Sequence, residues 1–223
     1  MNTLASEFEV DEYIDRAMIF SVPERMGLSR RLFMKNISEM QKKKVMATDG
    51  RLLGTFEGVA VNDDWTVSSL TVKIDNDAMG VLGTKKPFLG ALRLDVGVKN
   101  IKAMGDNIVL NKTLKEMGGL LTVYRENNDS SNLLKMEIVD AKGRDVGKID
   151  EIILDEKAWN IPKVLMSVNK EVSEILRVKK PLFSNTMVSL PTHNISGSGD
   201  KIMLSVTTER IGEILEQTPI KTV

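Results

Sequence analysis

Gly50-Arg51-Leu52-Leu53-Gly54 and Gly143-Arg144-Asp145-Val146-Gly147 are one phrase written twice, 93 residues apart. Outward from that phrase the echo continues. Trp65 recurs as Trp159, Lys85-Lys86-Pro87 as Lys179-Lys180-Pro181, and Gly105-Asp106-Asn107-Ile108 as Gly199-Asp200-Lys201-Ile202, each at an offset of 94. One single-residue insertion between Gly147 and Trp159 reconciles all four matches. Self-similarity at a fixed period marks an internal duplication. The copies run from about Lys44 to Met117 and from about Leu134 to Gln217.

Each copy reads as β structure. Val45-Met46-Ala47 leads into Asp49-Gly50, a hairpin-type turn signal. Leu53 to Val61 follows, then a second turn at Asn62-Asp63-Asp64. Val67 to Ile74 alternates, with Leu70, Val72 and Ile74 on one face and Ser69, Thr71 and Lys73 on the other. Leu92 to Ile101 and Ile108 to Leu110 are two further strands. The second copy repeats the plan at Val146 to Leu154, Val164 to Val168, Val188 to Ile195 and Ile202 to Val206. So many short strands in so few residues suit a small closed barrel, which leaves no sticky edge. Thr207 to Gln217 places Ile211, Ile214 and Leu215 on one helical face, as a cap on a barrel requires. The expected fold is therefore mainly β: two tandem small barrels, each with a short C-terminal helix, behind an N-terminal arm.

The expected domains are an arm at 1–43, a first barrel at 44–118, a linker or extended hairpin at 119–133 and a second barrel at 134–218. Residues 1–20 carry five acids and one base, and residues 25–44 seven bases and one acid. Such segregation reads either as a mobile interaction arm or as an amphipathic helix docked on the first barrel. Glu126 to Asn132 is polar and rich in turn formers. It reads as a linker, or as a hairpin tip if Leu120 to Arg125 pairs with Leu133 to Val139.

Composition narrows the chemistry. The 223 residues are 42% hydrophobic and 28% charged, as a packed domain requires. Lys+Arg and Asp+Glu both number 31, so there is no global pull toward nucleic acid or an anionic membrane. There is no cysteine and a single histidine, His193. That excludes thiolate nucleophiles, disulfides and Cys-based metal sites, and leaves little for proton transfer near neutral pH. No signal-like start and no long apolar run is present. The expectation is a cytoplasmic, non-enzymatic protein without cofactor or metal.

The Asp-Gly-Arg-Leu-Leu-Gly opening and the closing Gly-Asp-x-Ile hairpins, Ile101 to Asp106 and Ile195 to Asp200, resemble the PRC-barrel family. The resemblance covers about two thirds of the chain, and its motifs specify fold better than function. Lys44-Val45-Met46-Ala47-Thr48-Asp49-Gly50 is similar to the opening of the family's archaeal CdpB-type cell-division group. That resemblance implies an adaptor that binds SepF, the membrane anchor of the FtsZ ring. The protein would then be recruited to the division site without inserting in the membrane. The alternative it implies is an RNA- or ribosome-associated role of the RimM kind, with nucleic acid as partner.

Most single features have a structural explanation. The paired glycines fit turn and strand geometry better than a phosphate cradle, because no helix follows them. His193 aligns with Lys99 and reads as an exposed loop residue. Asp63-Asp64 and Asp155-Glu156 sit at turns, where acids are common. Matched positions make Trp65 and Trp159 barrel-packing residues before partner anchors. Lys42-Lys43-Lys44 and the two Lys-Lys-Pro sequences read as solvated faces. Two loops are too apolar to be idle: Asp77 to Gly90, with Met79, Val81, Leu82 and Phe88, and Lys170 to Phe183, with Val172, Ile175, Leu176, Leu182 and Phe183. They close the barrel mouths, pair the two barrels, or form a docking patch.

Overall fold

The computed structural model describes residues 33–124, 129–176 and 187–216. The opening elements are β1 (Met34–Asn36) and a single helical turn α1 (Ile37–Met40). The first sheet contains β2 (Lys44–Met46), β3 (Leu52–Val61), β4 (Val67–Ile74), β5 (Arg93–Gly97), β6 (Ile101–Met104), β7 (Ile108–Leu110) and β8 (Thr122–Val123), with helices α2 (Asn76–Leu82) and α3 (Leu114–Met117). Its strand order is β6-β7-β2-β3-β4-β5-β8. A turn α4 (Ser130–Leu133) opens the second set: β9 (Glu137–Val139), β10 (Asp145–Asp155), β11 (Asn160–Val168), helix α5 (Lys170–Ile175), β12 (Met187–Pro191), β13 (Ile195–Ser198), β14 (Ile202–Leu204) and helix α6 (Thr208–Glu216). Its order is β12-β11-β10-β9-β14-β13.

The two sheets share one plan. In each, the first strand pairs in parallel with the strand that closes the last hairpin, β2 with β7 and β9 with β14. The other neighbours on these paths are antiparallel. In each, two consecutive strands at or next to opposite ends of the order, β5 and β6 or β12 and β13, are joined by a tight 3₁₀ turn, Val98–Asn100 or Thr192–Asn194. That turn forces the sheet to curl back on itself. The stretch read as one strand from Leu92 to Ile101 is therefore two strands with a corner between them, and Val188 to Ile195 breaks in the same way. Asn100 and Asn194 sit buried at the corners, where their carbonyls accept from the amides of Asn111 and Ser205.

The repeated glycine phrase now has a physical cause. Gly50 and Gly143 adopt φ of +76° and +78°, the left-handed region that glycine enters without cost. The second glycines serve closeness. A Cβ on Gly54 would lie 2.1 Å from the Lys73 carbonyl oxygen, and one on Gly147 would lie 1.9 Å from that of Ser167. Both strands then bulge at one matched place, between Phe56 and Gly58 and between Ile149 and Glu151. A bulge bends its strand and increases the local twist, as curling requires.

The cores follow the alternation. Leu53, Phe56, Val59, Leu70, Val72 and Val96 are buried in the first half, and Val146, Ile149, Ile152, Val164, Met166 and Val188 in the second. Burying each such side chain stabilises by about 1.5–3 kcal/mol. The polar face expected for β4 is partly covered too. Thr71 is buried and its hydroxyl donates to Asp95 at 3.0 Å.

The two halves meet through backbone. The Val67 amide donates to the Trp159 carbonyl at 2.7 Å, and the Ile161 amide donates to the Trp65 carbonyl at 2.8 Å. Thr66 and Asn160 form the antiparallel bridge between them. These are matched positions of the two hairpin tips, so the contact is self-complementary, like an isologous dimer interface. Both tryptophans hold positive φ, +64° and +51°, a conformation that costs a non-glycine residue roughly 1–2 kcal/mol. The turns differ by one residue. The Trp65 amide reaches back to the Asn62 carbonyl, whereas the Trp159 amide reaches one residue farther, to Asp155. The offset between the halves changes there from 93 to 94.

The leading turns are exchanged between the halves. The amide and hydroxyl of Ser38, on α1, donate to the Glu151 carboxylate on β10 of the second half, and Lys35 lies 3.8 Å from Glu156. In return the Ser130 hydroxyl, on α4, accepts from the Val59 amide on β3 at 3.0 Å. Each turn ends in a lysine with positive φ, Lys42 at +67° and Lys135 at +68°. Part of the arm and part of the polar segment between the halves are thus packed structure. Ile37 and Met40 belong to the core. Thr122–Val123 pairs with β5 and Glu137–Val139 with β10, so no hairpin joins those segments. Residues 1–32 of the arm and 125–128 lie outside the described residues.

A close-approach role for Gly54 and Gly147 predicts that Gly54→Ala and Gly147→Ala each lower stability by about 2–4 kcal/mol in denaturant melts. Gly80→Ala is the control: a Cβ there meets nothing within 4 Å of a helical site, so stability should hold or rise by up to about 1 kcal/mol.

Candidate functional site

The nine apolar residues singled out by sequence divide by burial. Met79, Leu82, Val172 and Leu176 are core residues. Ile175 is half-buried, Val81 is at the surface, and Phe88 is 99% exposed. Leu182 and Phe183 lie outside the described residues. The reason is that both "loops" begin as helices. Asp75 caps α2 by accepting from the Asp77 amide, and Gly83 ends it in the left-handed conformation at φ +69°. Asn169 caps α5 by accepting from the Val172 amide. Helical spacing turns Met79, Leu82, Val172 and Leu176 inward over the sheets. The halves meet at the hairpin tips and exchanged turns described above, with Phe88 left in solvent.

What remains is a set of exposed apolar residues in the first half. Val81, Phe88, Leu89, Leu120 and Val123 are exposed there. Val81 lies on α2, which packs on α3, with Leu120 three residues beyond that helix. Val123 pairs with Leu94 at the start of β5, where the loop carrying Phe88 and Leu89 enters the sheet. Leu89, Leu120 and Val123 escaped the sequence reading. Leu89 had a readable signal, since it continues the Lys-Lys-Pro-Phe run.

There is also a polar cleft of about 530 Å³, lined by Lys42, Glu57, Arg93, Tyr124, Asp129 and Ser131 among others. Arg93 and Glu57 form an ion pair at 2.5 Å, and that hydrogen bond pushes the Arg93 guanidinium above its ordinary value. Opposite charges neutralise one another there.

The acids and the histidine serve structure where they are placed. His193 is exposed in a 3₁₀ turn. Asp64 accepts from the Thr66 hydroxyl and amide, which lower its carboxyl below the usual range. Asp155 accepts from the Lys157 and Ala158 amides. Among the described residues, no group of three or more His, Asp or Glu is arranged to hold a metal. None of the described helices is long and apolar enough to cross a membrane.

Asp140 is the most displaced acid. It is buried, which alone would raise its carboxyl. It accepts from the amides of Arg144 and Lys142 at 2.9 Å and from the amide and hydroxyl of Thr208 at 3.0 and 2.8 Å. Those bonds outweigh burial and bring it to about 2. Its donors are a turn and the start of α6, so it clamps that helix to the barrel. The matched site in the first half is Ala47. There α3 carries its own capping box between Thr113 and Glu116, and the Asp49 carboxylate accepts from the Leu114 amide at 3.4 Å.

Comparison with known proteins agrees with this geometry. Residues 126–211 match the model of the PRC-barrel domain, so a PRC-barrel domain is present in that segment. No curated protein matches the chain. Among solved structures, a 16S ribosomal RNA processing protein, RimM, from Pseudomonas aeruginosa is similar at 13% identity. The match covers 67% of this chain and 94% of that one, with a TM-score of 0.20. A likeness that low carries no argument about this chain.

The Asp140 clamp has a definite pH signature. A carboxyl near 3.9 when unfolded and about 2 when folded stabilises the protein fully above about pH 4, and the contribution is lost as pH falls toward 2. Asp140→Asn should cost about 2 kcal/mol at pH 7 and flatten the stability-versus-pH curve between pH 4 and 2. Urea melts at stepped pH would show it.

Proposed function

We propose that the PRC-barrel domain at residues 126–211 is one of two such barrels in this chain, and that together they act as a non-catalytic adaptor. The observation that carries this reading is the reciprocal pairing of the hairpin tips. It joins two sheets whose strand orders match apart from the added β8, at the bridge between Thr66 and Asn160. A chain with internal two-fold symmetry matches a dimeric partner, because both halves of the partner meet the same surface. Two linked contacts raise apparent affinity by roughly 10²–10⁴ when geometry allows. The non-catalytic part rests on composition, which has no cysteine and only one histidine.

The partner we propose is a SepF-like division protein, with FtsZ reached indirectly. The support is the resemblance of Lys44 to Gly50 to the CdpB-type group. In that role the protein works in the cytoplasm at the division site. An interface of this kind has an apolar centre and a charged rim, so it survives moderate salt. Calorimetry of the purified pair at low and moderate salt tests it. The expected result is one chain per SepF dimer at both salts. Absence of binding at either salt, together with RNA binding that weakens steeply as salt rises, would overturn it.

A further inference from the structure

The loop between α2 and β5 reads Gly83-Thr84-Lys85-Lys86-Pro87-Phe88-Leu89-Gly90. Its tip is unusual. Phe88 is 99% exposed and Leu89 is 82% exposed, the two most exposed of the large apolar side chains described. Adjacent large apolar groups that stand together in water form a patch of the kind that meets another surface. Left-handed glycines flank the loop, Gly83 at φ +69° and Gly90 at +80°. The two lysines just before the tip are also exposed.

Charge selects the occupant. From Ala78 to Leu94 the sequence holds Lys85, Lys86 and Arg93 and no acid. Asp95, the next acid along the chain, is buried and accepts from Thr71. Arg93 is already paired with Glu57. The available charge at the tip is therefore the lysine pair. A projecting apolar pair next to lysines is the arrangement that enters the interface of an anionic bilayer. The aromatic and aliphatic groups reach the boundary of the acyl chains, and the ammonium groups stay at the phosphates on long flexible stems. Val81, Leu120 and Val123 are also exposed in the same half.

We propose that the Lys85–Leu89 loop is a peripheral membrane contact for anionic lipid, made by this chain directly. Phe88 and Leu89 enter the headgroup region, and Lys85 and Lys86 supply the preference for negative headgroups. No helix crosses the bilayer in this arrangement. The contact does not depend on the protein partner proposed above.

Flotation of the purified full chain with vesicles tests it, with no partner protein present. One set is phosphatidylcholine with 30% phosphatidylglycerol, and the other is phosphatidylcholine alone. The chain should float with the anionic set and partition at least fivefold less onto the neutral one. Lys85→Gln with Lys86→Gln should lower anionic partitioning by about 25-fold, near fivefold per lysine. Phe88→Ser with Leu89→Ser should lower it comparably with both lysines kept. All four side chains are exposed, so thermal melts of these variants should match the parent. The proposal is overturned if the parent chain does not float, or if Phe88→Ser with Leu89→Ser floats like the parent. It is also overturned if the lysines matter only for binding a single-stranded RNA oligonucleotide.

Discussion

The structure depends on a pair of backbone hydrogen bonds: Val67 to Trp159 and Ile161 to Trp65. They join the tips of the two longest hairpins at matched positions. Small barrels bury a modest share of their surface and are marginal alone. Joining the tips lets the two curled sheets share one continuous core, in which residues of both halves belong to a single cluster. The positive φ of both tryptophans persists because this junction, the turn and the core all fix the same backbone.

The exchanged turns add a second layer to the same symmetry. α1 leans on β10 of the other half through Ser38 and Glu151, and α4 leans on β3 through Ser130 and Val59. The contact is reciprocal in place and different in chemistry. Gly58, where the second half has Glu151, leaves room for Asp129 and Ser130, which lie about 3 Å from where its Cβ would be. Both sides of this contact lie in one chain, so each is free to differ from the other. The contacts at the terminal helices diverge likewise, Asp140 holding α6 in one half and Asp49 meeting α3 in the other.

The repeated glycine phrase was enough to place two small sheets, since closeness and turn geometry restrict those positions to one residue type. Most strands were legible from period-two alternation. Three things were not. The corner at Val98–Asn100 lies inside an apolar run with no turn residue but Gly97 and Asn100. α2 and α5 are 7 and 6 residues long, too short for a helical period to show. The tip junction is made by amides and carbonyls, which carry no side-chain signature, and Lys42 and Lys135 hold positive φ where glycine or asparagine would have announced it. At the candidate site the apolar character of both loops was readable. Which residues turned inward was decided by the caps at Asp75 and Asn169, and the exposure of Phe88 and Leu89 by where α2 ends.

Two halves of one chain meet through their hairpin tips. Amide hydrogen exchange at Val67 and Ile161 addresses this most directly, because those two protons are the junction. If the account is right, both amides exchange as slowly as the central amides of β4 and β11, and both open together as denaturant is added. Fast exchange at either amide, at the rate of a free hairpin tip, would contradict it.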